Sequence, residues 1–251
     1  MLIGAGSAMF TQGLLADIMS VPALGPWEVR LVDTDPDALE TAYGLCRRMI
    51  AARGAAIAVR AAPDRRDVLA DADVVVVTIG VGGRRAWETD VFVPRRHGIF
   101  QPVGDTVMPG GISRALRMVP ALSAIARDVQ ALCPRALFVN YSNPMTVNCW
   151  AVRAATGLTM IGLCHGVYSV ERELAGFIGA PAHEVTSWYA GVNHLTFFLD
   201  LHWRGRDAWP LVRARVARER GAAVDEASLA AFADEQPCPS AHFCVAENPF
   251  S

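Results

Sequence analysis

Two short stretches gather side chains that chemistry can use: Cys164-His165 in "GLCHGVY" and Asn193-His194 in "GVNHLT". A thiolate and an imidazole delivered from separate loops suit a borderline divalent metal, and two protein ligands leave positions open for substrate oxygens. Taken singly, a Cys and a His are more often core or surface residues than ligands. A third stretch, "QPVGDTVMPGGI", sets Asp105 between glycine-rich turns ahead of a helix. There it is either a cap or a carboxylate presented to a substrate. A fourth, "YSNPM", offers Asn143, whose amide fits a sugar hydroxyl or simply a turn before proline.

A separate set near the start has the pattern of a dinucleotide loop. "IGAGSAMF" supplies Gly4 and Gly6, then Ser7, with Met9 where a third glycine is usual. The two glycines fit a tight turn and a close backbone approach to a pyrophosphate at a helix N-terminus. Asp33 closes the next apolar run, somewhat beyond the usual spacing of about 20 residues. A carboxylate there accepts ribose hydroxyls and repels a 2′-phosphate, which favours NAD over NADP. The competing reading of Asp33 is a turn residue in "DTDPD". Gly80 in "TIGVGG" allows a second loop to approach the cofactor, and Asn140 in "VNYSNP" is expected on the nicotinamide side.

The elements that must position these residues alternate between strand and helix. "WEVRLVD", "IAVRAA", "DADVVVVTIGVGG", "RALFVNYSNP" and "LTMIGLCH" read as strands. "PDALETAYGLCRRMIAAR", "PMTVNCWAVRAAT" and the long "GGISRALRMVPALSAIARDVQALCP" read as helices, the last with Pro120 as a kink or break. Repeated β-α order indicates right-handed βαβ units and a parallel sheet. The expected fold class is α/β, a Rossmann-type doubly wound parallel sheet over residues 1–165. The beginning of an α+β substrate domain follows over 166–251, where "EVTSWYAGVNHLTFFLDLHW" suits an antiparallel hairpin and "LVRARVARERG" a helix.

Composition narrows the partners. The chain has 251 residues, 52% hydrophobic and 19% charged, with a net charge of −2. That balance excludes the basic surface expected of a nucleic-acid binder, and no apolar stretch is long enough to span a bilayer. The six cysteines are scattered without a CxxC pair and read as reduced thiols. No signal-peptide pattern precedes the glycine loop, so the expected location is the cytoplasm.

In order along the chain, GAGS, VD, TIGVGG, GDT, PGG, NYSNPM, CHGV and GVNH resemble glycoside hydrolase family 4. Those are NAD- and manganese-dependent glycosidases, related in fold to lactate and malate dehydrogenases and outside the usual two-carboxylate scheme. The resemblance is clearest from residue 3 to about 200. It implies that Gly4, Gly6, Ser7 and Asp33 hold NAD, and that Cys164 and His194 hold Mn²⁺. It also implies that Asn143 contacts substrate hydroxyls, with His165 and Asn193 beside the sugar, and that Asp105 is the acid for the leaving group. The implied reaction oxidises C3 with hydride passing to NAD⁺, removes the C2 proton, eliminates the glycosidic oxygen and adds water, assisted by Mn²⁺. CHGV resembles the α-glucuronidase and α-galacturonidase branch, with Arg84, Arg85, Arg95, Arg96 and His97 as a basic run able to meet a uronate. The alternatives are an α-galactosidase or α-glucosidase of the same family, or a 2-hydroxy acid dehydrogenase, whose His-Asp relay has no clear counterpart here. Family members continue well beyond the length of this chain, so the resemblance implies a truncated substrate domain, missing C2 base and, at full length, a homo-oligomer.

Overall fold

The computed structural model describes residues 1–101, 104–192 and 195–221. It divides into two compact units, Met1–Cys164 and His165–Ser251.

The first unit is built on a six-stranded sheet. Its strands are β1 (Leu2–Ile3), β2 (Trp27–Val32), β3 (Ile57–Ala62), β4 (Val74–Val77), β5 (Leu137–Asn140) and β6 (Ile161–Gly162). They lie in the order β3-β2-β1-β4-β5-β6, and every neighbouring pair is parallel. Five helices accompany them: α1 (Ala8–Ser20), α2 (Pro36–Arg53), α3 (Gly83–Arg96), α4 (Met108–Leu132) and α5 (Met145–Thr156). The order reverses at β1 and β4, the crevice where doubly wound sheets bind ligands.

Alternation along the strands divides the core between the two faces. Leu2, Val29 and Leu31 pack with Leu15 of α1 and Leu39 and Cys46 of α2. Ile3, Val75, Val77 and Phe138 pack with Met118, Leu122 and Val129 of α4 and Val152 of α5. Local signals set the helix ends. Asp35 caps α2 by accepting from the Asp37 and Ala38 N–H groups at 3.0 and 3.1 Å, with Pro36 at the first turn. Gly54 closes that helix at φ +62°.

Three features differ from the sequence reading. The basic run lies on and just after α3, Arg84 to Arg96 within the helix and His97 at its C-cap, where the sequence reading placed no element. α4 runs through Pro120 without a break, and that residue sits on an exposed face of the helix. β6 is only two residues long, although the apolar run leading to it is longer.

The second unit contains α6 (Gly166–Ile178), the strands β7 (Val185–Val192), β8 (Leu195–Trp203) and β9 (Arg206–Asp207), and α7 (Trp209–Glu219). The expected hairpin is β7–β8, antiparallel, with a register shift between Trp188 and Tyr189. Its core is Ala175, Ala180, Val185, Leu201, Trp203 and Ala208. Among the described residues no helix is long and apolar enough to cross a membrane.

Candidate active site

The cofactor loop follows β1. Gly4 adopts φ +94°, and a Cβ on it would lie 2.9 Å from Thr78 and Ile79 backbone atoms. Gly6 donates its N–H to Asp33 Oδ2 at 2.7 Å, and a Cβ there would lie 2.8 Å from that same oxygen. Asp33 Oδ1 accepts from the Asp35 N–H at 3.0 Å. The carboxylate at the end of β2 is therefore clamped to the glycine loop, and each oxygen keeps a lone pair for a ribose hydroxyl. Ser7 Oγ accepts from the Phe10 N–H at 3.4 Å and caps α1, whose first turn contains no acidic residue. That leaves a helix N-terminus with its partial positive charge available to an anion. Met9, in place of the third glycine, is 64% exposed. It points out to solvent, so it does not obstruct helix-on-strand packing.

A second group of residues meets at the C-terminal edge of β4 and β5. Asn143, after β5, donates from Nδ2 to Asp105 Oδ2 at 3.2 Å, across 38 residues of chain. Asp105 Oδ1 accepts from the Thr106 hydroxyl at 2.7 Å. Each Asp105 oxygen accepts one hydrogen bond here and keeps a lone pair. The Asn143–Pro144 peptide is cis. Ser142 Oγ donates to the Ile79 carbonyl at 2.8 Å and so joins the loop after β5 to the loop after β4.

The Asp105 loop is braced from behind. Gln101 donates from Nε2 to the Asp90 carbonyl at 2.8 Å and accepts from the Gly110 N–H at 2.6 Å. The Asp90 carboxylate, with no exposed side-chain surface, takes both Nη groups of Arg117, at 3.0 and 2.5 Å. That hydrogen-bonded pairing raises the Arg117 pKa. Gly110 and Gly111 are forced by contact: a Cβ on Gly111 would lie 2.4 Å from the Thr106 carbonyl carbon.

Arg114 completes the group, with its Nε donating to the Asn143 carbonyl at 3.0 Å. Burial lowers its pKa, partly opposed by the charges of Asp105 and Asp90 and reinforced by Arg117. The sequence offered no signal for it, because arginines at i and i+3 on a long amphipathic helix usually face water. By contrast, the Arg84 side chain is 86% exposed and pairs with Glu88 along α3, while Arg95 lies over Phe100. Neither is brought to the Asp105–Asn143 group by a described contact.

Asn140, expected on the nicotinamide side, ends β5 at the C-terminal edge of the sheet. Its side chain is fully buried, its Oδ1 accepting from the Ser142 N–H at 3.0 Å and its Nδ2 donating to the Ser142 carbonyl at 2.9 Å, so its amide shapes the loop after β5. Gly80 lies in the loop after β4, where a Cβ would meet only Arg114 Nη2, at 3.8 Å. Cys164 is exposed just beyond β6, which continues the sheet edge through the Leu163 N–H to the Asn140 carbonyl at 2.9 Å. His165, in the second unit, is exposed at the start of α6 with Nδ1 3.4 Å from Ser169 Oγ. Asn193 and His194 lie outside the described residues. Among the described residues no group of three or more His, Cys, Asp or Glu side chains forms a metal cluster.

Residues 1–180 match the model described as family 4 glycosyl hydrolase, and residues 189–247 match that of the family 4 glycosyl hydrolase C-terminal domain. An α-galactosidase of Rhizobium meliloti (strain 1021) is 36% identical over 206 residues, 82% of this chain and 42% of its own length. An α-galacturonidase of Bacillus subtilis (strain 168) is 34% identical over 220 residues, 84% of this chain and 48% of its own. A 6-phospho-β-glucosidase of Thermotoga maritima, solved with manganese, NAD⁺ and glucose-6-phosphate, superposes with a TM-score of 0.74 at 26% identity. That match covers 86% of this chain and 52% of that one. The chain thus spans about half the length of the relatives it matches.

Proposed function

This chain belongs to family 4 of the glycosyl hydrolases, and we propose that it carries the cofactor-binding part of an NAD- and Mn²⁺-dependent glycosidase acting on α-linked sugars. The observation that carries the reading is the Asp105–Asn143 hydrogen bond. It gathers a carboxylate and an amide at the sheet edge, the side on which doubly wound folds present a nicotinamide to its substrate.

NAD fits the residues present. Gly4 and Gly6 leave the backbone open where a Cβ would collide, Asp33 is held ready for a ribose, and the α1 N-terminus suits a pyrophosphate. Ser7 and Gly80 complete that contact surface. Bound there, NAD⁺ supplies a hydride acceptor that converts a sugar CH–OH to a ketone and acidifies the neighbouring C–H. The metal would be held by Cys164 with His194; a thiolate and an imidazole form a donor set for a divalent ion, and the ion supplies Lewis-acid polarisation. Asn143 would donate to ring hydroxyls and hold them in register with the cofactor, and Asp105 beside it would be the acid for the leaving group. His165 and Asn193 are assigned to the sugar pocket. Identity does not divide neutral from charged sugars, since the α-galactosidase and the α-galacturonidase stand at 36% and 34%.

The test is hydrolysis of aryl α-glycosides with NAD⁺, Mn²⁺ and a thiol reductant. The expected result is turnover without net NADH, abolished by chelation and by Cys164→Ser. Activity that persists without both NAD⁺ and metal, or steady NADH production from malate or lactate, overturns the reading.

A further inference from the structure

We infer that Arg114 is the anion anchor of the sugar pocket, its Nη pair receiving the charged substituent of an acidic carbohydrate. The inference rests on the glycosidase reading above and adds a substrate-recognising residue to it.

The argument begins with where the guanidinium is held. Arg114 comes from the second turn of α4, and its Nε is fixed at 3.0 Å on the Asn143 carbonyl. Its Nη2 lies against the Gly80 backbone, 3.8 Å from where a Cβ would stand. The group therefore sits between the cofactor loop after β4 and the substrate loop after β5. Asp105, bonded to Asn143, brings a neighbouring negative charge. With Nε occupied, what remains is the end-on pair of Nη groups, a planar fork.

The second step concerns what the fork lacks. Among the described residues no carboxylate lies within ion-pair distance of Arg114, and no acceptor meets its Nη atoms. Arg117, one turn on, is instead saturated by Asp90 and the Ser113 hydroxyl. The charges of Asp105 and Asp90 act on this half-buried cation only from a distance, and a guanidinium with no direct hydrogen-bonded anion on its Nη pair leaves that end for a ligand to complete. Both Nη atoms reach solvent, since neither is among the sealed polar atoms. A planar fork selects a group with two oxygens in one plane or on one face, a carboxylate or a phosphate. On a sugar these correspond to a uronate and a phosphosugar.

The experiment is calorimetric titration of the whole chain with D-galacturonate, D-galactose and glucose 6-phosphate, with NAD⁺ titrated in parallel. Wild type is compared with Arg114→Met and Arg114→Lys. The expected result is that galacturonate binds about 10- to 100-fold tighter than galactose, the worth of one charge-assisted bidentate contact. Arg114→Met erases that ratio while the NAD⁺ affinity stays within about twofold. Should the methionine variant not fold, Arg114→Lys decides: it keeps the charge, loses the fork and cuts the ratio at least about threefold. Tighter binding of glucose 6-phosphate, lost in the same variants, supports the anchor with phosphate as its ligand. A merely structural role would weaken all sugars alike and leave the ratio unchanged. An unchanged ratio, or a wild-type chain that prefers no anionic sugar, overturns the inference. Failure of NAD⁺ to bind counts against the glycosidase reading instead.

Discussion

At the scale of single residues, the division is between side chains whose type announces chemistry and those whose neighbours create it. Cys164, Asp105, Asn143 and Asp33 stood out as candidates in the sequence by residue type, each beside a bland alternative, and their proposed roles came from the family resemblance. Arg114 and the Asp90–Arg117 pair could not, since only tertiary packing buries them. The place of Asn140 at the end of a strand was legible, whereas the hydrogen bonds of its amide to Ser142 were not. Two predictions belong here. Asp33→Asn keeps the size and removes the charge that accepts from Gly6, so NAD⁺ affinity falls about tenfold or more by fluorescence titration. Unchanged affinity would remove Asp33 from the cofactor site. Arg117→Ala leaves the Asp90 carboxylate buried without its partner, which costs about 3–5 kcal/mol. The urea unfolding midpoint measures it, and a loss below about 1 kcal/mol would place the pair with weak surface bridges.

Elements were readable where hydrophobic period and end signals agreed. α2 has both, with Asp35-Pro36 at one end and Gly54 at the other. α3 was missed because its sequence is dominated by charge and starts on two glycines at positive φ, a pattern that reads as loop. α4 was found, and of the kink or break expected at Pro120 the helix shows no break. Pro120→Ala restores a missing N–H and relieves ring contact with the preceding turn, so the melting temperature rises, by about 1–3 kcal/mol of stability. A neutral or destabilising outcome would mean that the proline is packed rather than merely tolerated. Gly111→Ala has the reverse sign from helix propensity. Propensity alone would gain about 1 kcal/mol, but the added methyl lands on the Thr106 backbone. Net destabilisation and weaker sugar binding are expected together, because Thr106 adjoins Asp105. A more stable variant would show that the loop yields easily.

At the scale of the whole molecule, the two compact units make cofactor binding a local event. NAD⁺ contacts assigned to Gly4, Gly6, Ser7, Asp33 and Gly80 all fall within Met1–Cys164. At about 100 times its Kd, a ligand that binds only the folded state adds about 2.7 kcal/mol. Hydrogen exchange should therefore slow in peptides of β1, β2 and β4 and stay unchanged in β7 and β8. Protection that appears first in β7 and β8 would contradict the assignment. The parallel, doubly wound character of the sheet was legible from β-α alternation, but the small antiparallel sheet was legible only as a hairpin, because β9 is two residues long. The placement of the thiols has a consequence for how this protein ages. Burial shields Cys46 and Cys133 and partly shields Cys149, and it pushes all three pKa values up, away from the reactive thiolate. Cys164 stands exposed at the sheet edge. Among these four, oxidants in air-exposed storage attack Cys164 first and convert it to sulfenic and then sulfinic acid, while the core remains intact. A stock in that condition would still melt normally and, if Cys164 is the metal ligand proposed above, would bind NAD⁺ while losing its response to Mn²⁺.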